Sequence, residues 1–178
     1  MKVKMGNYRK SAGRKVKIEI DSSDTWNLDY SLALIIYPAL LQLRAEKHGI
    51  PNDIVNEVGG EDWSSQDSFD FYKESHQEAF NKACERWEQI LDKMIWSFEQ
   101  LVRGDYSDKY HHGDPKYDWI KSKKTFPNPI TGKIEATWQM VDKNPDDHWY
   151  DGVGHQLHED RIQEGLDLFG KYYRALWD

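Results

Sequence analysis

The chain has 178 residues, 38% hydrophobic, 31% charged and 13% aromatic, with 8 Trp and 10 Tyr. That length fits one domain around one core, the ring content excludes simple disorder, and no run approaches the roughly 18 apolar residues of a membrane span. The net charge of -7 is unevenly spread: Lys2, Lys4, Arg9, Lys10, Arg14, Lys15 and Lys17 open the chain, and all 31 acids follow them, so extended nucleic acid is not an expected partner of the acidic body.

Residues 1–14 read as a flexible basic arm. No apolar segment follows the basic start, so a secretory leader is not expected, and the single cysteine, Cys84, can close no internal disulfide. Both features point to a cytoplasmic setting. Lys15 to Ile20 alternates, with Val16, Ile18 and Ile20 on one face, which predicts a half-buried strand. Asp21 to Asp24 are turn formers. Asn27 is placed to cap a helix from Leu28 to about His48, ended by Gly49 and Pro51. This helix is apolar nearly all round, and Pro38 predicts a kink or a short break within it. Such a helix has more apolar surface than one small chain covers, which predicts a homo-oligomer.

Ile50 to Gln66 carries Pro51, Gly59, Gly60 and several acids, and reads as a connection. A helix from 67 to 103 follows, with Ser65 or Asp67 as its cap and a break or bend expected near Asn81. Its second half is the most periodic stretch of the chain. Trp87, Ile90, Leu91, Met94, Ile95, Phe98, Leu101 and Val102 recur at three-and-four spacing and define a buried face, while Glu88, Asp92, Lys93, Glu99 and Gln100 point away.

From Asp105 to Gly154 the helical period is lost among Gly, Pro, Asn and Asp. Ile134, Ala136, Trp138 and Met140 alternate there, predicting a hairpin of Lys121–Phe126 with Lys133–Val141 that is a candidate to share a sheet with the early strand. A last helix is predicted from Arg161 to Trp177. The expected fold is mainly α: one domain with a bundle-like core of three or four helices (28–48, 67–103, 161–177) and a small β-hairpin excursion over 105–154.

Three segments, DTWNLDYSLALIIYPALLQLRAEKHGIP, RWEQILDKMIWSFEQ and RIQEGLDLFGKYYRALWD, together about a third of the chain, resemble a family of small, largely uncharacterised proteins of tailed bacteriophages. The resemblance implies the cytoplasm of an infected bacterium as the setting. It carries over no catalytic residue.

Three constellations bear on chemistry. The first joins rings and cations: Tyr8, Arg9, Lys10 and Arg14 in the arm, and His111, His112, Trp119, Lys123, Lys124 and Trp138 in the excursion. Ring faces take bases and cations take phosphates, so these residues form a candidate site for a small anionic, nucleotide-like ligand. The second is the histidine-rich part, where five of the 7 histidines fall. His111, His112, Asp114, His148, Asp151, His155, His158, Glu159 and Asp160 are chemically suitable metal ligands. Their spacing matches no established metal motif, and Gly152 and Gly154 argue against a helix there. The third is Glu85 and Glu88 with Glu164 and Asp167, an arrangement like the paired acidic helices that hold magnesium in helical nucleotide pyrophosphatases. The ordinary reading of four acids on amphipathic helices is a solvated face. Cys84 reads as an inert core thiol.

The expected function is that of a phage-encoded, non-enzymatic binding protein without cofactor or bound metal. It sequesters a small nucleotide signal or blocks a host protein, as a host-takeover or anti-defence factor. The alternatives are a metal-dependent nucleotide phosphohydrolase and a virion structural or assembly protein.

Overall fold

A computed structural model describes residues 1–7, 13–47, 49–59 and 74–177. The chain forms two compact units, residues 1–104 with 159–178, and residues 105–158.

The first unit is built on the periodic helix. Strand β1 (Lys2–Met5) pairs antiparallel with β2 (Val16–Glu19), Val3 facing Ile18 and Met5 facing Val16. Alternation therefore puts these four apolar residues on one face of the hairpin and Lys2, Lys4, Lys17 and Glu19 on the other. A 3-10 turn at Ser22–Thr25 follows, capped by Asp21, whose carboxylate accepts from the Ser22 N–H at 3.0 Å. Helices α1 (Leu28–Glu46), α2 (Asn52–Gly59) and α3 (Glu74–Arg103) follow in turn, and α4 (Gly152–Tyr172) contributes its later residues to this unit. At 30 residues α3 is about 45 Å long.

Trp87, Ile90, Leu91, Met94 and Phe98 of α3 are buried, together with Ala33 and Leu40 of α1, Ile54 of α2 and Tyr172 of α4. Each large apolar side chain so buried stabilises the fold by roughly 1.5–3 kcal/mol relative to exposure. Trp87 meets Tyr172 edge to face at 5.5 Å, and Phe98 meets Phe169 at 5.0 Å. At the rim of the α1–α3 contact, Arg44 bonds Asp92 at 2.9 Å and Glu88 at 3.2 Å, and Lys47 bonds Glu88 at 3.0 Å. Gly165 lets α4 approach the Ser97 hydroxyl and the Lys93 carbonyl.

The second unit holds two antiparallel ribbons. The short one pairs β3 (His111–Gly113) with β6 (His148–Tyr150), and the long one pairs β4 (Tyr117–Pro127) with β5 (Ile134–Asp142). The turn of the long ribbon is held by Asn128, whose side-chain oxygen accepts from the N–H of Ile130 at 2.8 Å and of Thr131 at 3.1 Å. Its register is continuous from Tyr117–Asp142 to Lys121–Trp138 and shifts at a bulge between Lys121 and Thr125.

Several expectations are corrected. The fold is mixed α/β rather than a mainly α bundle: 56% of the described residues are helical in four helices and 21% are strand in small antiparallel sheets. Lys2–Met5 is a strand and not part of a flexible arm, because Val3 and Met5 find apolar partners in Ile18 and Val16. The early strand and the late hairpin belong to separate two-stranded sheets. α2 occupies the supposed connection: the Pro51 carbonyl accepts from the N–H of Ile54 and of Val55, and Ile54 is fully buried. No break in helix occurs at Pro38 of α1 or at Asn81 of α3. Gln100, expected to face solvent, is buried with Ser97. α4 begins nine residues before Arg161, since Asp151 caps it by accepting from the Gly154 N–H at 2.8 Å. The proposed caps Ser65 and Asp67 lie outside the described residues.

Candidate functional site

The long ribbon of the second unit gathers the sequence-predicted rings. Residues directly opposite one another in an antiparallel pair share a face, as do residues two apart on one strand. Trp119 lies opposite Met140 and Lys121 opposite Trp138. Trp119, Lys121, Trp138 and Met140 therefore stand on a single face, with Tyr117 and Asp142 continuing it at one end. Trp119 and Trp138 are both 61% exposed. They are diagonal neighbours, a relation with a separation of about 7–8 Å between backbones, near twice the thickness of an aromatic ring. A flat ring can thus stack on an exposed indole.

On the opposite face Asp118 holds Lys143 at 2.6 Å, and that ammonium, with the N–H of Trp119 at 2.9 Å, keeps the Asp118 carboxyl below the ordinary carboxylate range. Lys121, on the indole face, makes no ion pair among the described residues. At the far end of the face the His148 ring reaches the Asp142 carboxylate at 2.5 Å and meets Tyr117 edge-on. The face therefore runs from an acid–imidazole pair, over three rings, to a cation.

The remaining predicted residues distribute as follows. His111 packs against Tyr150 at 4.7 Å and His112 stacks on Trp149 at 4.2 Å, each across the β3–β6 ribbon. Both imidazoles are thus partners of aromatic rings in that short ribbon. Lys123 and Lys124 fall in the bulge of β4, within the strand that carries Trp119. Arg14 belongs to the first unit, where its guanidinium approaches the Met5 sulfur at 3.6 Å. Tyr8, Arg9 and Lys10 lie outside the described residues. Lys121 and Met140 complete the face; the two-residue alternation of both strands was the signal for them.

The two metal-binding constellations take other roles. Glu88 is engaged by Arg44 and Lys47, and Glu164 by Lys93 at 2.5 Å, so these two acids are neutralised by bases of their own unit. The late histidines build an aromatic cluster: Tyr106 stacks on His158 at 4.9 Å, and Tyr110 and Tyr150 meet His155 at 5.3 and 5.7 Å. Among the described residues no group of three or more His, Cys, Asp and Glu side chains stands at metal-binding separations. Cys84 is half-buried and burial pushes its thiol pKa up, away from the thiolate form that reacts.

No helix among the described residues is long and apolar enough to cross a membrane. No protein-family model matches the chain, and no curated protein or solved structure matches it either.

Proposed function

We propose that this chain is a non-enzymatic binding protein that takes a planar anionic ligand, a nucleotide, on the indole face of the β4–β5 ribbon. The observation that carries the reading is the placement of Trp119 and Trp138 on one exposed face with Lys121 as the cross-strand neighbour of Trp138. A base stacked on an aromatic side chain contributes about 1–3 kcal/mol whatever its identity, and a neighbouring ammonium answers the phosphate. Large rings left in water on a two-stranded ribbon are otherwise a liability, since such a ribbon is marginally stable until something packs on it.

Following the resemblance to small phage proteins, we place the protein in the cytoplasm of the infected bacterium, acting as a homo-oligomer that withdraws a nucleotide signal from the host. The metal-dependent hydrolase is disfavoured by the ion pairs that occupy Glu88 and Glu164.

The test is titration of the full chain with mononucleotides and cyclic dinucleotides, read by tryptophan fluorescence and calorimetry. Saturable quenching that Trp119→Ala with Trp138→Ala abolishes, while circular dichroism is unchanged, supports the reading. Binding that survives the double substitution, or the absence of binding to every nucleotide, overturns it.

A further inference from the structure

On the polar side of the β1–β2 hairpin Lys4 stands directly opposite Lys17, and Lys2 directly opposite Glu19. The pairing continues past Met5, since the Gly6 N–H donates to the Lys15 carbonyl at 2.8 Å. Alternation therefore puts Lys15 on the same side, facing a glycine that has no side chain of its own. Glu19, the acid of this side, binds Lys17 at 2.6 Å. Lys2, Lys4 and Lys15 make no ion pair among the described residues. Lys2, Lys4, Lys17 and Glu19 line a shallow cavity of about 140 Å3, room for several waters. All four side chains belong to exposed residues.

We infer that this side of the hairpin binds a compact inorganic oligophosphate, pyrophosphate or triphosphate, held by Lys2, Lys4 and Lys17 with Lys15 at its edge. Three features point to that ligand. The first is charge. Like charges directly opposite each other destabilise a strand pair, and Glu19 answers only one of the lysines on this side. An anion seated between Lys4 and Lys17 turns their repulsion into attraction, and each ammonium then donates charge-assisted hydrogen bonds to phosphate oxygens. The second is spacing. Residues two apart on a strand lie about 7 Å apart and paired strands about 4.8 Å apart, so the stems of Lys2, Lys4 and Lys17 rise from a patch of about 7 by 5 Å. A compact anion with several oxygens reaches all three at once, whereas an extended acidic segment meets them one at a time. The third is what the cavity lacks. Its lining is three ammonium groups and one carboxylate, which read charge and offer no ring on which an attached base would stack. The site is thus distinct in chemistry from the indole face of the β4–β5 ribbon and does not rest on the reading of that ribbon.

The test is calorimetric titration of the full chain with sodium tripolyphosphate at low ionic strength, where screening is weakest. Saturable binding is expected, with amide resonance shifts confined to residues 2–6 and 15–19. Lys4→Gln and Lys17→Gln are each expected to weaken it about tenfold. Lys82→Gln, which removes an exposed lysine of α3, is expected to leave it unchanged. Glu19→Gln is expected to tighten binding, because it frees Lys17 from its ion pair. A gain in affinity cannot come from loss of fold, so this variant decides the matter even where a lysine variant unfolds. Tripolyphosphate that fails to saturate by millimolar concentration overturns the site. So does a loss in Lys82→Gln equal to that in Lys4→Gln, or a Glu19→Gln variant that binds no more tightly than the unmodified chain. The probe carries no ring, so either result leaves nucleotide binding at Trp119 and Trp138 to its own titration.

Discussion

Trp138 stands directly across the β4–β5 ribbon from Lys121, one step along the same face from the pair Trp119–Met140. That step places a cation beside one indole and a thioether beside the other. The two ends of the face therefore differ in charge, since Asp142 and His148 occupy the far end at 2.5 Å from each other. A ligand with one flat ring and one anionic group has a single orientation that suits this arrangement, ring over the indoles and anion toward Lys121.

Substituting Lys121 should separate stacking from charge. Lys121→Ala is expected to weaken nucleotide binding about tenfold, or roughly 1.4 kcal/mol, and to flatten its salt dependence, while a nucleoside lacking phosphate binds both proteins alike. Calorimetry at two ionic strengths checks this. Equal losses for nucleotide and nucleoside would remove Lys121 from any phosphate contact.

Gly165 and Gly170, both in α4, should respond to alanine with opposite signs. A Cβ at Gly165 meets the Ser97 hydroxyl and comes within 2.7 Å of the Lys93 carbonyl oxygen, backbone that cannot turn aside. Gly165→Ala is expected to cost about 1–3 kcal/mol or more by overpacking. At Gly170 nothing lies within 4 Å of the new atom, so Gly170→Ala is expected to stabilise by about 0.5–1 kcal/mol through helix propensity. Thermal melts of the two variants decide it.

The α1–α3 rim should lend the first unit an acid-sensitive part of its stability. Lys47, and after it Arg44, hold the Glu88 carboxyl below its ordinary value of 4.5. The unfolded chain takes up the proton at the ordinary value and the folded chain resists it. The contribution is therefore fully present above pH 4.5 and is lost as pH falls from there through the lowered folded value. Denaturant midpoints measured from about pH 6 to about pH 3 are expected to drop more shallowly in Glu88→Gln than in the unmodified protein. Equal slopes would show that the pair contributes nothing across this range.

Gly113 is the point at which the short ribbon is most easily broken. Its φ of 84° is left-handed, and an added Cβ meets the Asp147 carbonyl and comes within 2.8 Å of the His148 Cα. Gly113→Ala is expected to cost about 1–3 kcal/mol from backbone strain alone. The loss should show as faster hydrogen exchange confined to 111–113 and 148–150. Unchanged protection there would mean the β3–β6 ribbon adapts around the methyl group.

The periodic rows were legible from the residues themselves. Trp87, Ile90, Leu91, Met94 and Phe98 form the buried side of α3 because their three-and-four spacing leaves a helix only one way to hide them. Alternation in Ile134 to Met140 likewise announced β5 and put Trp138 and Met140 on one side of it. Local pattern sufficed in both cases because local geometry sets the side-chain period.

Elements whose stability comes from a distant partner were decided only in three dimensions. Lys2–Met5 is half lysine and becomes a strand because β2 offers Ile18 and Val16 across from Val3 and Met5. His111–Gly113 is a strand because β6, more than thirty residues on, brings Trp149 beneath His112. Those pairings turn an expected helical bundle into a mixed α/β fold. α2 and the start of α4 were hidden by Pro51 and by Gly152 and Gly154, residues that break a helix interior yet are tolerated at its first turn. The same division holds for the candidate site: residue types identified rings and cations, but only the strand register seats Lys121 beside Trp138 and sends His111 and His112 to a different ribbon. Register is a relation between two segments, and neither segment contains it alone.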